Sequence, residues 1–393
     1  MFSVDNFYYI LYTNILRNAK PLSVHAFHFQ PFGATGNENL TEDFSWDRQL
    51  QSRHKHLVLF YDQEPIFLDT FNKLTNEYLF RPKNCRLLAN SEHSDVKKLI
   101  CKQNDLIDWY YFFHGFAALD WYKDYQYLPQ VEKQFTKVFM SLNRLVTKDR
   151  SYRLQLVGEM IARDIHNKGI VSLDLEDRGY GVWLDEITKP HSKLSLAGKK
   201  IVYDNIKPLA GSLIADKINP TGDLSAKVGL DDVLFMKSAF FHVVSETVFF
   251  HPKLHLTEKI FKPIVIKRPF ILVAAPGNLA YLKSYGFKTF DRWIDESYDQ
   301  EPDNDRRIAM VASELEKLCK LSDSELRNMH AEMQEVLDYN FLHFYGKFKE
   351  IIVDELLNNF KNAVHQWNHA RINGRVVDIS HIDFNSIRSM LLN

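Results

Sequence analysis

Cysteine is scarce. The 393-residue chain has three, Cys85, Cys101 and Cys319, at spacings that match no metal-ligand pattern. So small and odd a set points to free thiols in a reducing compartment, not to a disulfide framework. Long apolar runs are also missing: none approaches the roughly 20 residues needed to span a bilayer. The first residues, MFSVDNFYYILYTNIL, have no basic stretch ahead of the apolar one and carry Asp5 and Asn6, unlike a secretory leader. A cytoplasmic protein without a membrane span is the expectation.

Charge of either sign is not in excess. Lys and Arg total 49 against 50 Asp and Glu, a formal net charge of −1. This argues against wholesale nucleic-acid binding, which needs a net basic surface. No G-x-G-x-x-G turn follows a strand-like run, which disfavours a two-domain dinucleotide oxidoreductase. His251 and His255 are four apart but are not set in H-E-x-x-H. The string Asp303-Asn304-Asp305 lies in a polar loop with no strand ahead of it. It reads as solvated, and no obligatory metal is expected. No internal repeat and no low-complexity tract is visible.

The chain is long enough for two domains. Its 29 Phe, 18 Tyr and 6 Trp serve chiefly to fill cores, and a surplus of aromatics suits carbohydrate or nucleotide sites. Short apolar runs alternate with helical periodicity, the pattern of α/β layering. Strands are expected over 57–61, 86–89, 138–140, 170–175, 201–203, 240–244 and 270–274. A helix is expected over 149–167, where Leu154, Val157, Ile161 and Ile165 recur at helical spacing, with Gly169 just past its end. The stretch 121–137 reads as a linker, and from about Asp305 the chain is helical. Ser322 with Glu325 makes a capping box. Ile308, Val311, Leu315 and Leu318 make one stripe, and Ile351, Ile352, Leu356 and Phe360 another. The fold class that results is α/β and GT-B-like: two Rossmann-like domains facing a cleft (1–130 on the acceptor side, 131–305 for a nucleotide-sugar) and a helical C-terminal extension, 306–393.

The chemistry concentrates in FFHVVSETVFFHPKLHLTEKIFKPIVIKRPF, residues 240–270. A buried strand ends at Glu246, and after a loop Thr257-Glu258-Lys259 opens a helix. Thr257 can cap it, so that first-turn N–H groups and the Lys259 ammonium converge on a phosphate or diphosphate. A carboxylate beside an anion site suits a nucleotide-sugar. Taken alone, Thr-Glu-Lys also fits an ordinary helix start, and Pro263 should kink or shorten the helix. In VFMSLNRLVTKDRSYR, residues 138–153, Asn143, Arg144, Arg150 and Arg153 can reach a ligand above the strand end, arginine gripping two phosphate oxygens at once; a solvated helix face is the alternative. Asp62-Gln63-Glu64-Pro65 follows the first strand, where Glu64 can take a proton from an acceptor hydroxyl or be turn chemistry only. His114, in an aromatic run, reads as packed.

These residues resemble the α-1,3-fucosyltransferase family, inverting enzymes of GT-B fold that use GDP-fucose. In that family a strand runs into Ser-Asn with an Arg seven positions after the Asn; here Ser141, Asn143 and Arg150 correspond. Phe-Glu-Asn and Tyr-x-Thr-Glu-Lys follow in the family, and Ser245-Glu246-Thr247 and His255-Leu256-Thr257-Glu258-Lys259 occupy those places. The departures are Phe to Ser, Asn to Thr and Tyr to His. The resemblance implies that Glu258 holds the donor ribose, that Lys259 and Arg150 hold the diphosphate, and that Glu246 lies near the donor sugar. Thr247 and His255 would join the donor site. Gln63-Glu64-Pro65 is a shorter counterpart of the family's Glu-Ser-Pro-like motif, which makes Glu64 the implied base. The segment from Gly286 to Phe290, with Asp295 to Asp299, resembles phage and large-virus transferase-like proteins. The expectation is therefore a sugar transferase in the cytoplasm of a bacterial or virus-infected cell. It would use a nucleotide-sugar, GDP-linked or UDP-linked, and a glycan or other hydroxyl acceptor. A non-catalytic or virion-associated protein retaining the fold is the alternative.

Overall fold

The computed structural model describes residues 3–19, 25–30, 39–41, 57–77, 85–127, 135–176, 181–209, 211–213, 230–370 and 376–393. The chain forms two compact units, Met1–Asp120 with Lys347–Asn393, and Trp121–Gly346. The first boundary falls at the end of the helix Phe113–Trp121 and not near 130; residues 128–134 of the expected linker lie outside the described residues. The segment 306–393 is helical but divided. Helices Asn304–Cys319 and Asp323–His343 go with the second unit, and Lys349–His369 and Phe384–Leu392 with the first.

The first unit is built on strands β1 (His25–Gln30), β2 (Asn39–Thr41), β3 (Leu57–Tyr61), β4 (Cys85–Asn90) and β5 (Ile107–Tyr110), in the order β2-β1-β3-β4-β5. Only β2 runs antiparallel to its neighbour. Val58 to Tyr61 are buried without alternation, as expected of a parallel strand covered on both faces. One cluster gathers Leu59, Tyr61 and Leu88 with Phe71 and Ile100. Trp109 of β5 donates to the Leu356 carbonyl at 3.3 Å, and its ring lies 5.0 Å from that of Phe360. The apolar stripe of Lys349–His369 thus covers this sheet.

The second unit carries β6 (Lys137–Asn143), β7 (Gly169–Leu173), β8 (Ala239–Ser245) and β9 (Phe270–Val273), all parallel, in the order β9-β8-β6-β7. The chain leaves β6 for β7 on one side and returns to β8 on the other, so the strand order reverses between β6 and β8. The helix expected over 149–167 is Tyr152–Ala162, flanked by 3-10 turns at Lys148–Arg150 and His166–Lys168. Two expectations fail. Residues 201–203 belong to the helix Leu196–Asn205: Ser195 caps it, accepting from Gly198 N at 2.9 Å, and Val202 packs with Leu154 and Val157. Cap and packing override the strand preference of Ile-Val-Tyr. Gly169 does not close the preceding helix but opens β7 in extended backbone; Asp164, at φ 53°, makes the left-handed step. Gly169 is needed because a Cβ there would run into the Phe139 ring.

The helix Asn304–Cys319 buries Ile308, Val311, Leu315 and Leu318, and Ser322 with Glu325 forms the capping box at the next helix. Asp303 is exposed in the loop ahead of Asn304–Cys319 and caps that helix through Arg306 N at 2.8 Å, whereas Asp305, inside the helix, accepts from Gln155 and Ser195. The 286–299 segment is a structural lock. Asn340 bonds both backbone groups of Lys288, and Glu296 accepts from Phe290 N and Thr289 Oγ1. Asp299 accepts from Leu279 N at the start of the helix Asn278–Ser284. Among the described residues no helix is long and apolar enough to cross a membrane, and no three His, Cys, Asp or Glu side chains gather as a metal site. Cys101 and Cys319 are free thiols.

Candidate functional site

In an open α/β sheet, ligands settle outside the carboxyl ends of the strands, where the strand order reverses. Here that place is bounded by Asn143 at the end of β6 and Ser245-Glu246 at the end of β8. Glu246 is fully buried. One carboxylate oxygen, Oε1, accepts from Thr257 N at 3.2 Å; the other, Oε2, accepts from Thr257 Oγ1 at 2.6 Å and Thr247 N at 3.3 Å. Burial pushes its pKa upward, against the nearby Lys259 charge and the Thr257 hydrogen bond. With both oxygens engaged, Glu246 anchors the turn that follows.

That turn is shorter than the sequence implied. Thr257 caps a 3-10 turn, Glu258–Ile260, which leads into a five-residue helix, Phe261–Val265. Pro263 offers no N–H inside it, and Lys267 at φ 54° turns the chain away. So short a helix has little dipole, and the first-turn N–H of Lys259 is already given to Thr257 Oγ1 at 3.4 Å. The positive charge comes instead from the Lys259 ammonium. Its Nζ donates to Thr257 Oγ1 at 3.0 Å, Thr247 Oγ1 at 3.4 Å and Glu258 Oε1 at 3.2 Å. The Lys259 side chain is 37% exposed and that of Glu258 only 10%. The cation is therefore held at a partly exposed rim whose carboxylates are sunk.

The loop after β6 forms the neighbouring wall. Asn143 is buried; Nδ2 donates to Ser141 Oγ at 3.0 Å and the Ser172 carbonyl at 3.2 Å. Arg150 ends the 3-10 turn Lys148–Arg150 and is half-buried. Beside it Asp149 meets His251 Nε2 at 3.1 Å. Burial works to raise the Asp149 pKa, but the hydrogen bond and charge of His251 outweigh it and hold the carboxyl below its usual range. Tyr152 stacks on Phe249 with ring centroids 4.3 Å apart and donates to the Glu246 carbonyl. Arg144 is exposed and lines a shallow surface depression, about 10 Å³, with Leu175, Trp183, Asp174 and Glu176.

Glu246, Thr247, Thr257, Glu258 and Lys259 thus form one hydrogen-bonded cluster, with Asn143, Arg144 and Arg150 on the adjoining strand end and loop. His255 is buried, its backbone N–H held by Asn278 Oδ1 at 3.0 Å. No family model matches the chain, and no curated protein matches it. Among solved structures it is similar to an α,α-trehalose 6-phosphate synthase from Burkholderia multivorans, at 13% identity and a TM-score of 0.37, over 93% of this chain and 78% of that one.

Glu64 lies in the first unit, half-buried on the turn after β3. Two buried carboxylates hold that turn at its ends, and the sequence reading assigned neither a role. Asp62 accepts from Tyr8 OH at 2.9 Å and from Tyr111 OH. Glu92 accepts from Ile66 N at 2.8 Å and from Ser94 Oγ. Asp62 stood in plain view within Asp-Gln-Glu-Pro. Its partners are 49 and 54 residues away along the chain, which no local pattern reveals.

Proposed function

We propose that the chain is an inverting glycosyltransferase. It would move a fucose-like sugar from a nucleoside-diphosphate donor, GDP-linked by the sequence resemblance, to a hydroxyl acceptor. One observation carries the reading: at the reversal point of the second unit's parallel sheet, a buried carboxylate holds the turn from which Lys259 presents its ammonium. In this reading Lys259 and Arg150 hold the diphosphate. Arg144, exposed on the adjoining loop, helps hold the donor, and Glu246 is a positioning residue.

Glu64 takes the proton from the acceptor hydroxyl, whose oxygen forms the new bond to the anomeric carbon. The bond from that carbon to the diphosphate oxygen breaks, and its electron pair leaves with the nucleoside diphosphate. Negative charge on the leaving oxygen grows during that step, so the cations accelerate it and do not merely bind substrate. A thermal-shift panel of GDP, UDP and their sugars, followed by hydrolysis and transfer assays on the hits, tests the proposal. A nucleoside diphosphate should raise the melting temperature, and its sugar should be turned over. A folded protein that no nucleotide stabilises ends the enzymatic reading and leaves a binding protein that keeps the fold alone.

A further inference from the structure

Arg153 is a buried cation with no carboxylate among its contacts with the described residues. It is 5% exposed, and its guanidinium donates to main-chain carbonyls and, through Nε at 3.5 Å, to the Tyr152 hydroxyl. Nη1 donates to Leu145 O at 2.9 Å, and Nη2 to Ser245 O at 2.9 Å and Glu246 O at 3.2 Å. These carbonyls belong to the segments that leave β6 and β8, so the side chain bridges the point where the strand order reverses. Carbonyl dipoles solvate the charge but do not neutralise it, and an unneutralised buried charge is costly.

Its surroundings are incomplete in a second way. Among the described residues Asn143 Oδ1, Ser151 Oγ and Ser245 Oγ are buried without a hydrogen-bond partner. All belong to the same strand ends and helix start. The register Ser141↔Val243 sets Asn143 and Ser245 side by side two residues on, and Ser151 immediately precedes Tyr152–Ala162 at the cap position, where its side chain makes no cap. Buried polar groups are ordinarily paired, and orphans call for a missing partner; the two hydroxyls can donate to an anion, whereas Asn143 Oδ1 can only accept.

We infer that Arg153 is the standing positive charge beneath the diphosphate site, a positioning residue whose field completes an anion site that Lys259 and Arg150 contact directly. The inference rests on the donor-site reading above. It concerns a charge, and charge and hydrogen bonding can be separated: Arg153→Lys keeps the cation and loses the planar fork, whereas Arg153→Gln keeps a donor and loses the cation. Binding of inorganic pyrophosphate would be measured by titration calorimetry at two ionic strengths. We expect R153Q to bind about tenfold more weakly, with a shallower salt dependence, and R153K to stay within about threefold of wild type. Two results overturn the inference: R153K as weak as R153Q, which makes the residue a strut, or R153Q as tight as wild type. If R153Q does not fold, R153K decides alone, a tenfold loss counting against. If the wild-type protein binds neither pyrophosphate nor any nucleoside diphosphate, the donor-site reading itself fails, which is a different outcome from failure of the two variants.

Discussion

Glu246 has both carboxylate oxygens occupied, and Thr257 supplies two of the three donors. Truncation to alanine strands two buried N–H groups and a hydroxyl. E246A should therefore lose on the order of 2–4 kcal/mol of stability, read by chemical denaturation. It should also bind nucleotide at least tenfold more weakly, because the Lys259 turn loses its anchor. Nucleotide binding at wild-type strength in E246A would show that the cation is placed by something else. Lys259 is different: its side chain is a third exposed, so K259A should fold normally. K259A and R150A should each lower donor turnover tenfold to hundredfold; a fully active variant of either kind removes that residue from the site. The Thr-Glu-Lys string was legible because a cap, an acid and a cation in sequence make a local pattern. The inward role of Glu246 was not, since an acid at a strand end looks the same whether it faces solvent or its own chain.

Strands of the two sheets were readable because burial on both faces leaves unbroken apolar runs; all seven residues of β8 are buried. Where tertiary contacts decide, local pattern misleads. Ile-Val-Tyr at 201–203 looked like a strand and is helical, and the helix after Thr257 is cut to one turn around Pro263. Gly169 was assigned to the wrong job for the same reason: its neighbour, Phe139, is a strand away. That contact makes a prediction at the level of the β6–β7 pair. Gly169→Ala forces the Phe139 ring to move in a packed core and should cost about 1–3 kcal/mol. Combining it with Phe139→Leu should recover part of the loss, a non-additivity expected of touching residues. Additive losses in denaturant melts would mean that the ring already has room.

Taken whole, the chain hid its division. The apolar stripes over 306–393 announce helices but not which sheet each one covers, so Lys349–His369 could not be assigned to the first unit from its sequence. Its acid response is equally a matter of tertiary surroundings. In the second unit His242 donates to the Met236 carbonyl at 2.9 Å and is almost fully buried. Burial lowers its pKa to about 4, the Met236 carbonyl works the other way, and Arg268 and Lys262 add to the depression. His330, lowered to about 4 by burial and by Arg268, pairs through Nε2 with Arg268 Nη1 at 3.1 Å and so must be neutral to accept. The unfolded chain takes up these protons near pH 6.5, whereas the folded protein resists to about 4. Between those values the unfolded state binds more protons, so stability is complete above pH 6.5 and falls as the pH drops toward 4. For His242 alone the loss at pH 5 is on the order of 2 kcal/mol; His330, partly exposed, contributes less. Melting curves from pH 7.5 to 5 should show the decline, and His242→Gln, which keeps a donor for Met236 but cannot titrate, should flatten it. An H242Q protein that loses stability on acidification as steeply as wild type would place the proton uptake on other groups.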